Sequence, residues 1–162
     1  MKTLLTNAKV IDPVTETISD GEVMFEDGII ISKETADETI DCQGQYVSPG
    51  LIDLGVKVGE PGERHKESYK SAGASAAAGG VTTIVTRPDT IPAIDTPEVL
   101  EFIRRRAQEV CPVNVFHMVA LTKERAGREM TEIGFLKDAG AIAFTDFNNV
   151  VKNSKILSRA LS

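Results

Sequence analysis

Residues 48–66 constrain the chain more than any other stretch, because an apolar strand runs there directly into a loop of glycine and proline. Ser48-Pro49-Gly50 is a turn. Leu51, Ile52, Leu54, Val56 and Val58 form a β-rich run of parallel-strand length, and residues 59–62 stop it before a helix begins near Lys66. From Gly50 onward the texture alternates strand, helix, strand, helix, which implies parallel pairing with right-handed crossovers. In a β/α barrel of this kind, functional groups gather at the C-terminal ends of the strands.

The alternation predicts a first helix over residues 67–78, dense in Ala, Ser and Gly so that its backbone can approach the sheet, with Gly79-Gly80 as its stop. A second strand follows over 81–86. Thr96-Pro97-Glu98 then opens a helix to about 109, with a hydroxyl at N-cap, proline at N1 and an acid in the first turn. Residues 113–120 read as the third strand, followed by a charged loop. Residues 132–139 read as a helix stopping at Gly140, and 141–145 as the fourth strand; Asn153 caps a last helix. A closed barrel takes eight such units and about 250 residues. Four units over residues 49–162 predict the first half of a longer, truncated α/β barrel.

Residues 1–48 differ in kind. Strands are expected at 3–10, 21–26, 29–32 and 39–42, and Asp27-Gly28 between two apolar runs is a two-residue hairpin signal, since a type I′ turn needs positive φ at both central positions. These residues form a small β subdomain.

Composition narrows the function classes. The chain carries a net charge of −6, which argues against nucleic acid as a partner. It has no apolar run near the roughly 18 residues that a membrane helix requires and no N-terminal apolar leader, so a cytoplasmic protein with no membrane partner is expected. Cys42 and Cys111 are isolated and read as reduced thiols. The triplet Arg104-Arg105-Arg106 reads as a solvated helix face.

The stretch from Pro49 to Glu67 resembles the dihydroorotase group of cyclic amidohydrolases, whose first barrel strand reads Pro-Gly-x-Ile-Asp-x-His-x-His-x-Arg-x-Pro-Gly-x-x-x-Lys-Glu. Pro49, Gly50, Ile52, Asp53, Pro61, Gly62, Lys66 and Glu67 keep that framework. The resemblance extends over essentially the whole chain. It implies the N-terminal half of an amidohydrolase-type (β/α)8 barrel preceded by a small β-sandwich subdomain. It also implies that the two zinc-binding histidines are replaced by Gly55 and Lys57, and the arginine that holds the substrate carboxylate by Gly59. In Thr86-Arg87-Pro88-Asp89-Thr90, where the family shows Met-Pro-Asn-Thr, Asp89 replaces a substrate-binding asparagine with an anion that would repel a carboxylate. Asp146 falls at a retained metal-ligand position, and the family's further ligands lie beyond Ser162.

Strand alternation places Asp53, Gly55 and Lys57 on one face. Glycine offers no ligand, and a protonated lysine has three donors and no lone pair, whereas a catalytic zinc site needs about three protein ligands. No catalytic, substrate-binding or metal residue is therefore expected, and no cofactor. Val58-Gly59-Glu60-Pro61-Gly62 and Met130-Thr131-Glu132-Ile133 look most like a non-catalytic branch of the family, some of whose members support aspartate carbamoyltransferase in pyrimidine biosynthesis. That resemblance implies a structural or assembly role with that partner or through self-association, which an unpaired sheet edge would also favour.

The rival reading is a metal-dependent hydrolase of cyclic amides in which Asp53, Asp89, His117 and Asp146 converge on zinc or manganese. Taken singly, His117 reads as a packed core histidine, His65 as a surface residue, and Asp89 and Asp146 as loop residues. One contact is expected from charge alone: Lys57 should stand in for the missing metal, its amine within roughly 4 Å of Asp146 or Asp53.

Overall fold

Two sheets of opposite character divide the chain between Pro49 and Gly50 in the computed structural model, which describes residues 1–161. In the first unit β1 (Lys2–Asp12) pairs antiparallel with β2 (Thr17–Glu26), which continues into β3 (Ile29–Ile31) through the expected Asp27-Gly28 turn. Both turn residues have positive φ, and the register pairs Glu26 with Ile29. On its other side β1 pairs in parallel with β4 (Glu38–Asp41) and then with β5 (Tyr46–Val47), a two-residue strand absent from the sequence reading.

These five strands form one sheet, so the described residues supply a single layer where a sandwich was expected. Ile18, Ile29, Ile30 and Ile40 on its strands are exposed, while Thr3, Ala8 and Met24 are buried.

The second unit follows the strand-helix alternation closely. Strands β6 (Leu51–Val56), β7 (Val81–Thr86), β8 (Asn114–Val119) and β9 (Ala143–Phe144) pair in parallel, in that order. Helices α1 (Tyr69–Ala78), α2 (Pro97–Val110) and α3 (Ile133–Asp138) fill the crossovers, and α4 (Ser154–Ala160) follows β9. Strand β6 ends at Val56; Val58, assigned to it from sequence, lies beyond the strand and is buried in the core.

Local chemistry explains the helix ends. Ser68 and Ser71 form a reciprocal capping box at the start of α1, two residues later than the sequence suggested. Thr96 occupies the N-cap of α2 with Pro97 after it, yet its hydroxyl makes no capping bond. Asn153 does cap α4, accepting from the Lys155 amide at 3.0 Å.

Leu100, Ile103 and Ala107 recur at helical spacing along α2 and pack with Val58, Tyr69, Ala72, Ile94, Val119 and Leu136 into one core on the helix-covered side of the sheet. Arg104 and Arg105 are exposed, as expected of a solvated face, and Arg106 is half-buried. Arg104 Nη1 donates to the Ala139 carbonyl at the end of α3, and Arg106 Nε donates to Glu60 at 2.9 Å.

The small residues of α1 allow a close crossing: a Cβ on Gly73 would overlap Cys111 Sγ and lie 2.6 Å from Pro112 Cδ. Gly73→Ala is therefore expected to destabilise the chain by about 1–3 kcal/mol through overpacking, even though alanine gains about 1 kcal/mol of helix propensity over glycine. Urea unfolding of the two proteins checks the sign.

Candidate functional site at the strand ends

The loops that follow the four parallel strands are stitched to one another in chain order. The Ile91 amide donates to Pro61 O at 3.3 Å, the Ala120 amide to Ile94 O at 2.7 Å, the Glu124 amide to Asp95 Oδ2 at 2.7 Å, and the Thr122 amide to Asp146 Oδ1 at 2.9 Å. These bonds gather Lys57, Arg87, Asp89, Thr122, Asp146 and Phe147 at the C-terminal end of the sheet, as a β/α barrel requires of its functional residues.

Gly55 reshapes the first strand end. Leu54 pairs with Val85 and Val56 with Thr86, so the register slips at Gly55, whose φ of 87° marks it as an inserted bulge residue. Asp53 pairs with Ile84, and Asp53 and Val56 consequently share the side of Ile84 and Thr86, both buried. The simple alternation of Asp53, Gly55 and Lys57 does not hold, because the bulge consumes one residue and Lys57 lies beyond the end of the strand. Gly59, the other changed position in this segment, is buried where a Cβ would overlap the Glu63 carbonyl.

Lys57 accordingly finds other partners. Its amine lies 3.4 Å from Asp89 and 3.7 Å from Glu63, and neither Asp146 nor Asp53 is within ion-pair reach. Asp89 is also gripped from its own loop: Arg87 Nε donates to Oδ1 at 3.1 Å and Nη2 to Oδ2 at 3.0 Å. The Asp89 carboxylate, only 9% exposed, is thus neutralised by two cations. It is no free anion, which corrects the picture of a bare repulsive charge. Arg87 in turn stacks on Phe147, its guanidinium carbon 3.8 Å from the ring centroid. Lys66, and to a smaller degree Lys57, hold the Glu63 carboxyl below its ordinary range.

The remaining candidates are dispersed. Both oxygens of the buried Asp146 accept from Thr122, one from its amide at 2.9 Å and one from its hydroxyl. His117 is buried, as expected of a core histidine. It shares a 2.8 Å hydrogen bond with Thr86 through Nδ1 and sits edge-on to Tyr69. His65 is exposed. Glu60 was not singled out by the sequence. It is buried, receives the Tyr69 amide at 3.2 Å, and is ion-paired to Arg64 and Arg106, so it joins the start of α1 to α2. Among the described residues, no three His, Cys, Asp or Glu side chains are grouped to hold a metal, so the convergence of Asp53, Asp89, His117 and Asp146 does not occur.

Comparison with known proteins now places this architecture. A family model described as Dihydro-orotase-like matches residues 44–162. The chain belongs to the dihydroorotase-like family. It is 43% identical to a dihydroorotase from Wolbachia sp. subsp. Drosophila simulans, over 99% of this chain and 37% of that protein. Against a dihydroorotase from Endomicrobium trichonymphae the identity is 39%, over 99% and 39%. The chain thus spans less than half the length of these curated relatives.

An L-hydantoinase from Arthrobacter aurescens superposes with a TM-score of 0.77 at 23% identity, covering 88% of this chain and 32% of that one. That likeness identifies the parallel sheet as half of an amidohydrolase-type TIM barrel. No helix among the described residues is long and apolar enough to cross a membrane.

Within this family the described strand ends do not fit the zinc that the first-strand pattern implies. Residue 55 has no side chain, Lys57 is ion-paired to carboxylates, and both Asp146 oxygens are engaged by Thr122. Arg87 and Phe147 were the residues missed. The available signal was an arginine two positions before an aspartate across a proline, where Pro88 limits the backbone and lets the two side chains meet.

His117 gives a pH prediction. Burial, and then the charge of Arg104, lowers its pKa to about 4, and Nε2 has no hydrogen-bond partner in the fold. A histidine with a depressed folded-state pKa is neutral in the native state while the unfolded chain gains a proton below about 6.5, so stability should fall as pH drops from 6.5 to 4. The loss should be on the order of 2–3 kcal/mol. Urea unfolding across that window should show this component in the native chain and not in His117→Gln.

Proposed function

We propose that this chain belongs to a non-hydrolytic protein with a structural or assembly role in pyrimidine biosynthesis. The observation that carries the reading is the ion pair between Lys57 and Asp89, at 3.4 Å. Lys57 stands where the family pattern has a metal histidine, and Asp89 where it has a substrate-binding asparagine. A lysine tied to a carboxylate offers no lone pair to a metal, and a carboxylate tied to two cations offers no amide donor to a substrate. Hydrolysis of a cyclic amide needs an activated water, and a metal would supply it by lowering that water's pKa. Gly55 and Lys57 contribute nothing to holding such a metal.

The second reading, a metal-dependent hydrolase of cyclic amides, is favoured by one observation, the 43% identity to a protein named as a dihydroorotase. The two readings part in a direct assay. The chain is expected to hydrolyse neither dihydroorotate nor hydantoin above the buffer rate, with or without added zinc. Zinc-dependent turnover that disappears in Asp146→Ala would establish the hydrolase instead.

The proposed partners are aspartate carbamoyltransferase and further copies of this chain. Strands β6 and β9 are the two edges of the parallel sheet, and Leu51, Ile52 and Leu54 on β6 are all more than half exposed. Apolar side chains on an open edge favour association. Light scattering is expected to give a mass above that of one chain, or a complex when aspartate carbamoyltransferase is added. A monodisperse monomer in both samples would remove the assembly role.

A further inference from the structure

The strand-end site contains a cation of its own. A Cβ placed on Gly55 would have one neighbouring atom within 4 Å, Arg87 Cδ at 4.0 Å, so the arginine stem passes over the space into which a side chain at 55 would grow. From there the guanidinium reaches Phe147, the residue after Asp146, and stacks on its ring. It is fixed in that pose by the two-pronged bond to Asp89, and its side chain is 17% exposed. Arg87 therefore spans from a changed ligand position at the end of β6 to the neighbour of the retained one after β9.

We propose that Arg87 is the resident cation of this site: its guanidinium takes both the space and the positive charge that a metal would bring. This rests on the reading of the site as metal-free. Lys57, for which that role was expected from sequence, supports Arg87 by sharing the Asp89 carboxylate. Planarity explains the choice of residue. Only a guanidinium can bind a carboxylate through two parallel N–H groups and also lay its face on an aromatic ring, and it stays protonated at any working pH. The family shows methionine at this position, an apolar stem that carries no charge.

The test asks whether Arg87 excludes a metal. Histidine at 55 is unsuitable, since the positive φ there would strain any side chain. Position 57 is suitable, because the Lys57 amine already lies near Asp89 and Glu63, so Lys57→His would put an imidazole beside two carboxylates.

Zinc affinity is measured by competition with a chromophoric chelator for the native chain, Lys57→His, Arg87→Met, and the double variant. The double variant is expected to bind zinc roughly tenfold more tightly, or better, than Lys57→His alone, and the native chain least of all. Equal affinity in Lys57→His and the double variant, or zinc binding by the native chain as tight as by the double variant, overturns the proposal.

A metal-free readout guards against a variant too unstable to titrate. In a cycle of Arg87→Met and Asp89→Asn, the urea midpoint of the double variant should fall by less than the sum of the two single losses, because Arg87→Met leaves the Asp89 carboxylate to Lys57 alone and Asp89→Asn leaves the guanidinium without its carboxylate. Additive losses overturn the proposal. Turnover of a cyclic amide by the native chain would instead count against the proposed function, and the chelator and midpoint readings stand apart from it.

Discussion

The strand-end site depends on one carboxylate. Asp89 is 9% exposed, too buried to rely on water for its charge, and a buried ion must be met by hydrogen bonds and opposite charge. Arg87 supplies two parallel N–H donors from the same loop, and Lys57 supplies a second cation from the preceding strand end. The buried Pro88 limits the backbone between Arg87 and Asp89, so the two side chains meet without a long loop. Thr90 fixes the far side of the turn by donating to the Pro92 carbonyl at 2.7 Å. Charges reaching from one strand end to the next hold these loops together.

A second carboxylate obeys the same rule and serves the fold. Glu60 receives the first amide of α1, a group no helix can satisfy internally, and pairs with Arg106 on α2. The partners lie 46 residues apart. One acidic side chain thereby sets where α1 begins and ties that start to the next helix. This explains why part of the arginine triplet is withdrawn from solvent. Arg104, two residues earlier on α2, does comparable work by donating to the Ala139 carbonyl at the end of α3.

The parallel half of the chain was legible because each of its signals is local. The strand Val81–Thr86 is bounded by Gly79-Gly80 and a proline, and α2 is announced by Pro97 and by apolar residues three and four apart. Chemistry at the strand ends was only half legible, since it depends on which side each residue faces. Gly55 was read only as a missing ligand, but a lone glycine inside a strand pattern also signals a bulge. That second meaning breaks the alternation on which the expected contact with Asp146 or Asp53 rested, and Lys57 pairs with Asp89 and Glu63 instead. The Glu60–Arg106 pair lay outside any local signal. The short β9, two residues where five were expected, reflects a segment in which Ile142 is half exposed and only Ala143 and Phe144 pair with β8.

The replaced positions are physically coupled, and this bears on how such a site could have arisen. An aspartate at 89 facing histidines at 55 and 57 would have competed for the metal, since a carboxylate is a better ligand than the amide of asparagine. A lysine at 57 facing a neutral asparagine would have lost its ion pair with the strand end. Lysine and arginine here face two carboxylates, Asp89 and Glu63, and Phe147 offers the face on which the arginine rests. The set is self-consistent only as a whole. Gly55 adds a constraint of the backbone to those of charge, because its positive φ and the register slip it marks break the simple alternation between Asp53 and Val56.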